Sequence, residues 1–125
     1  MTCCWLFEDE NHAESEAVLL EVGANGAYAP NLWWAEIRNV LITSERTGRM
    51  NPRETAMVLT SLARLDVRLD NEPNEVELLT LARRHRLTIY DALYLELAHR
   101  FKAPLATLDH ALIRAARSES IHLKP

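Results

Sequence analysis

Three carboxylates stand where the surrounding pattern asks for a reason. Glu36 falls in the run Trp33, Glu36, Ile37, Val40 and Leu41, spaced i, i+3, i+4, i+7 and i+8 along one face of a helix. Asp91 follows Thr88 by three positions. Thr88 reads as an N-cap, so Ile89 and Tyr90 open a helix and Asp91 is its N3 residue. Asp109 ends the apolar stretch Leu105-Ala106-Thr107-Leu108 and reads as the cap of a helix from Ala111 to about Arg117. Carboxylates brought together repel unless a cation neutralises them. All-oxygen donors suit Mg²⁺ or Mn²⁺, which keep waters and bind substrate phosphates. Such an ion activates water and stabilises charge in phosphodiester hydrolysis. Glu36, Asp91 and Asp109 are therefore the candidate catalytic and metal-binding residues, expected to converge at one edge of a sheet. Thr107 either bonds an acid or a metal-bound water, or is simply a β-former in a strand.

Each acid also has a purely structural reading. Asp at an N-cap and at N3 needs no chemistry, because both positions face unpaired N–H groups and the positive end of the helix dipole. A Glu on a core-facing stripe is costly unless paired, hydrogen-bonded or metal-bound. The alternative is that Glu36 lies at the edge of the stripe and reaches water or an Arg. Asp109 would sit at the carboxyl end of a strand, where open α/β sheets build their sites. Asp91 joins it only if its helix begins at the same edge.

Other chemistries are poorly supported. There is no GxSxG elbow, no Walker loop and no GxGxxG. Gly23, Gly26 and Gly48 are the only glycines, and none precedes a helix in a phosphate-cradling pattern. The five His are scattered without zinc-pair spacing. Cys3 and Cys4 are adjacent and read as free thiols of a reducing cytosol, so a cytoplasmic location is expected. No signal peptide or membrane span is recognisable. With 14 Lys+Arg against 18 Asp+Glu the net charge is −4, which argues against nucleic-acid binding by bulk charge alone. An enzyme holding RNA through a metal and a few local arginines remains compatible with it.

At 125 residues the chain is read as one domain, 1–125. The acidic run Glu8-Asp9-Glu10 opens a first helix with Ala13, Ala17, Leu20 and Val22 on its apolar side, ended by Gly23 and Gly26. Tyr28-Ala29 is a short strand before Pro30, and Asn31 caps the Glu36 helix, which Gly48 terminates. Asn51 and Pro52 open a third helix. Val67–Asp70 alternates like a strand, and Pro73 starts a fourth helix ending in Arg83-Arg84-His85-Arg86. That basic run either complements the helix dipole or faces phosphate. Ile121-His122-Leu123 reads as an edge strand. Alternating helices and short strands place the chain in the α/β class.

These motifs resemble a known family. Thr88-Ile-Tyr-Asp-Ala-Leu-Tyr-Leu, then Pro104-Leu-Ala-Thr-Leu-Asp and Leu112, is similar to the C-terminal half of a PIN domain, most like the VapC-type toxins of toxin–antitoxin pairs. Pro30-Asn-Leu-Trp-Trp-Ala-Glu-Ile-Arg-Asn-Val-Leu matches that family's second acidic motif, and Trp5-Leu-Phe-Glu-Asp-Glu the stretch after its first strand. The resemblance implies a three-layer α/β/α sandwich with a central parallel sheet. It implies a Mg²⁺- or Mn²⁺-dependent ribonuclease with Glu36, Asp91 and Asp109 among its acids. The implied partners are an RNA substrate, a cognate antitoxin and a second copy in a homodimer. The other class of function is a non-catalytic PIN-fold module that binds an antitoxin or RNA.

The family opens with a strand ending in an Asp, and this chain begins after that point. The first strand is expected to be missing and the domain N-terminally shortened, leaving the first acid without a counterpart. An upstream start, a natural shortened form and a strand supplied by a partner all account for this. Cleavage needs its catalytic groups held rigidly against the scissile phosphate. Weak or absent ribonuclease activity is therefore expected of Met1–Pro125, with metal-dependent activity once an upstream strand ending in Asp is added. A paired RNA-cleavage assay, with and without Mg²⁺, checks this; equal rates for both chains would show that the first acid is dispensable.

Overall fold

The structure, a computed structural model, describes residues 13–124, with side chains from Glu16 onward. The Trp5–Phe7 stretch and the acidic turn Glu8-Asp9-Glu10 lie outside the described residues. The chain forms two compact units that meet in sequence between Leu69 and Asp70.

In the first unit, helix α1 (Ala13–Asn25) buries Val18 and Val22. It runs through Gly23, contrary to the expected end there, and stops at Gly26. Gly26 has φ 75° and returns its N–H to the Val22 carbonyl at 2.8 Å. A Cβ on Gly26 would meet the Asp66 carbonyl oxygen at 2.8 Å, so the close approach as well as the dihedral demands glycine. Strand β1 (Ala27–Pro30) follows and pairs with β2 (Val67–Asp70). Helix α2 (Leu32–Arg46) buries Ile37, Leu41 and Ser44. Asn31 occupies its N-cap position but makes no side-chain cap; helical dihedrals there (φ −56°, ψ −30°) differ from the extended geometry that aims a cap oxygen at the first N–H groups. Gly48, at φ 74°, ends the helix as expected.

Helix α3 (Pro52–Ala63) opens on a full capping box. Asn51 Oδ1 accepts from the Glu54 N–H at 2.9 Å, and Glu54 Oε2 accepts from the Asn51 N–H at 2.8 Å. Its only link to α2 through side-chain hydrogen bonds among the described residues is Thr55 Oγ1 donating to Glu45 at 2.7 Å.

The second unit holds α4 (Glu75–His85), α5 (Ile89–Phe101), β3 (Leu105–Ala106), α6 (His110–Ser118) and β4 (Leu123–Lys124). The expected start of α4 at Pro73 is corrected: Asn74 caps it, accepting the Glu77 N–H at 3.0 Å, and Pro73 stays outside. Strand β3 has two residues rather than the four expected. The Asp109 N–H turns back to Thr107 Oγ1 at 3.1 Å, a local turn that takes the chain out of the ladder. β4 lies at Leu123–Lys124, later than the expected Ile121–Leu123, and pairs with β3 in parallel, Leu105 opposite Leu123. Leu81, Leu95, Ala98, Leu105, Leu112, Ala115 and Ala116 form the core between these elements.

One charged group lies inside this unit. Glu96 on α5 is 1% exposed. Arg100 Nε donates to its Oε1 at 2.7 Å, and the backbone N–H of Asn74 donates to the same oxygen at 3.1 Å. Arg100 also grips Asp70 through two hydrogen bonds, at 3.2 and 2.5 Å. The two carboxylates hold the guanidinium's pKa above its already high value, Glu96 contributing most. Breaking a buried pair from one side leaves a charge without compensation. Arg100→Ala is therefore expected to destabilise the unit by about 3–5 kcal/mol, read from urea unfolding, and Glu96→Gln by less.

Candidate functional site

Two of the three acids belong to the second unit, and both open helices. Thr88 has extended dihedrals, and its hydroxyl accepts the Asp91 N–H at 3.1 Å. This fixes Asp91 in the first turn of α5, half-buried, directly before the fully buried Ala92. The helix is locked here because Ala92 and Leu95 sit in the core one turn apart. Asp109 is the N-cap of α6: its Oδ1 accepts the Leu112 N–H at 2.9 Å, and Leu112 itself is buried. The side chain of Asp109 is otherwise exposed. Both acids thus face helix N-termini, where aligned N–H groups favour negative charge. Thr107 lies outside the strand, and its hydroxyl serves the Asp109 N–H.

Glu36 belongs to the first unit. It is exposed on α2, next to Ile37, which is 2% exposed. The buried stripe of α2 runs Ile37, Leu41, Ser44, and Glu36 lies about 100° round the helix from its first member. Of the two sequence readings of this residue, the stripe-edge position is the one observed.

The basic run at the end of α4 is divided in use. Arg84 Nη1 donates to Glu119 Oε1 at 2.6 Å, and His85 Nε2 stands 2.6 Å from the same oxygen. Hydrogen bonding by His85, then by Arg84, holds the Glu119 carboxyl below its ordinary pKa. Arg83 and Arg86 are exposed, and Arg86 caps the helix in the left-handed region at φ 51°.

The one deeply buried acid among the described residues, Glu96, was not singled out in the sequence. Its signal was present: Arg100 lies four positions on, a helical Glu–Arg pair, in a helix whose other neighbouring positions are apolar.

Residues 2–118 match the model of the PIN domain. The chain belongs to the PIN domain family. No curated protein matches the sequence. PIN domains have a nuclease-type α/β fold, generally use divalent metal ions, and often bind RNA or antitoxin partners. Among the described residues no helix is long and apolar enough to cross a membrane.

The donors described do not by themselves fit the family's metal. No group of three or more His, Cys, Asp or Glu side chains among the described residues is placed to hold one. Asp109 in addition commits one carboxylate oxygen to its helix cap. A site with few fixed donors binds weakly, and stabilisation follows the ratio of ligand to its dissociation constant. Millimolar Mn²⁺ is therefore expected to shift the melting temperature of Met1–Pro125 by less than about 2 °C. Differential scanning calorimetry checks this, and a larger rise would show that other residues complete a site.

Proposed function

We propose that the chain is the ribonuclease toxin of a type II toxin–antitoxin pair, of the VapC type, with Glu36, Asp91 and Asp109 as its catalytic acids. The observation that carries this is the PIN match over residues 2–118, within which the Tyr90-Asp91-Ala92 and Ala106-Thr107-Leu108-Asp109 motifs open α5 and α6. A single domain over 1–125, built as an α/β/α sandwich on a parallel sheet, is part of this reading and rests on the same family match; the β3–β4 pair is parallel, as such a sheet requires. Acids projecting from helix starts suit hydrolysis of an RNA phosphodiester. A carboxylate there accepts a hydrogen bond from the attacking water and takes its proton as the water oxygen bonds to phosphorus; the bond to the leaving ribose oxygen breaks, and that oxygen takes a proton from solvent. A carboxylate-only set suits Mg²⁺ or Mn²⁺ as the family's divalent ion. No step is assigned to that ion, because the described donors do not form its site.

The partners proposed are RNA, a cognate antitoxin and a second copy of the chain, in the cytoplasm. Ile89 and Tyr90, 42% and 64% exposed at the start of α5, offer apolar surface for a protein partner. The second reading is a non-catalytic PIN module that binds an antitoxin or RNA. It is favoured by the lack of a three-donor group among the described residues.

The test is cleavage of RNA by a chain extended with an upstream strand ending in Asp, against its Asp91→Asn and Asp109→Asn variants. Each substitution is expected to lower the rate by about 100-fold or more, the scale of lost acid–base catalysis. Stability should change by less than about 1 kcal/mol, since Asn keeps the capping role at 109 and Asp91 is no cap, its turn being closed by Thr88. A folded, metal-binding extended chain that cuts no RNA would favour the binding module.

A further inference from the structure

Two exposed aromatic rings in the first unit each carry a guanidinium. Trp34, in the first turn of α2, is 53% exposed, and the Arg38 guanidinium carbon lies 4.0 Å from its ring centroid. Arg38 Nη1 donates to the Trp34 carbonyl at 3.1 Å, which fixes the cation over the ring. Tyr28 on β1 is likewise 53% exposed, and Arg68 of the paired strand β2 lies 6.0 Å from its ring centroid. The two rings flank the single turn that joins β1 to α2.

Leaving large rings in water is unfavourable, and the chain has apolar cores that take other side chains instead. The cations differ in their state. Arg68 is paired with Asp66 at 3.0 Å. Among the described residues Arg38 is held by the Trp34 ring and carbonyl, not by a carboxylate. A half-exposed aromatic ring beside a guanidinium without a carboxylate partner among the described residues matches one ligand chemistry well: an unpaired base, which stacks, with its phosphate, which the cation attracts. Base pairs in a duplex have their faces covered and would gain nothing from such rings.

We propose that Trp34 with Arg38, and the Tyr28 ring, are stacking positions for the bases of single-stranded RNA. The proposal rests on the ribonuclease reading for its substrate class and adds which residues hold the strand and in which form. Stacking tolerates any base, so these positions select unpaired over paired RNA and impose little sequence preference. Trp34 and Arg38 here are binding residues and take no part in bond breaking.

The experiment is fluorescence anisotropy of a labelled oligouridine, and of a duplex RNA of equal length, with Met1–Pro125 in the absence of divalent metal. Trp34→Ala and Tyr28→Ala are each expected to weaken oligouridine binding by roughly 5- to 150-fold, the range for losing one stacked base. Trp34→Phe should recover most of that loss, and duplex binding should be weaker throughout. Arg38→Gln should reduce the slope of affinity against salt by about one. Circular dichroism should be unchanged in all variants, as the rings are exposed. Equal oligouridine affinity of the Ala variants and the unsubstituted chain would overturn the proposal and leave these rings as a face for a protein partner. The ribonuclease reading would survive that result, since its own assay follows Asp91 and Asp109. No oligouridine binding by the unsubstituted chain would overturn the proposal, and the cleavage assay of the extended chain would then decide the ribonuclease reading on its own.

Discussion

The second unit depends on one cation. Arg100 lies between Glu96, which the helix packing takes out of water, and Asp70, the first residue of the unit. A buried carboxylate is tolerated only when its charge and its lone pairs are met. Glu96 has both: the guanidinium supplies the charge, and the Asn74 N–H adds a bond from the residue that caps α4. The same Asn74 closes α4 with its side chain. Within this unit one salt-bridge network therefore ties together Asp70, the start of α4 and the middle of α5. Apolar packing alone specifies such registers less sharply, since aliphatic side chains slide at small cost.

Asp91 inherits its position from this arrangement. It sits on α5 ahead of Ala92 and Leu95, both without exposed surface, and its turn is closed by Thr88. Asp109 is held differently. Its carboxylate is bonded to Leu112, whose side chain is buried, and its own N–H is tied to Thr107. Each acid is thus placed by a helix start whose apolar side is anchored in a core, which is how a fold can hold charged groups at a surface without letting them wander. Glu119 shows the same economy at the other end of α6, where one carboxylate oxygen receives both Arg84 and His85. The basic run at the end of α4 thereby gives two of its four members to holding helices together.

Local signals in the chain determine the structure where a side chain acts on its own backbone. Thr88, Asn51 and Asp109 cap the helices they were expected to cap, and Gly48 and Gly26 stop helices where a positive φ is needed. These depend on a few consecutive residues, so composition and spacing determine them. Asn31 and Pro73 mark the boundary of that power. Asn31 has the right side chain in the wrong dihedral, and Pro73 was outcompeted by the better cap beside it. The family was legible too: the Tyr90-Asp91-Ala92 and Ala106-Thr107-Leu108-Asp109 motifs belong to a chain that is a member of the PIN domain family.

What needed the tertiary structure was the state of each charge. The sequence offered Glu36 as either core-facing or at an edge, and a helix face one residue wide separates the two; packing of Ile37, Leu41 and Ser44 decided that it is exposed. It also hid the acid that is buried, because Glu96 is bonded by the Asn74 N–H, 22 residues away along the chain, and shares the Arg100 guanidinium with Asp70. The length of β3 was decided in the same way, by a partner strand of only two residues and a threonine that bonds locally. Caps and turns are paid for within one turn of chain and can be read there. Burial, ion pairing and strand length are set by which distant segments meet, and one-dimensional spacing carries no term for that.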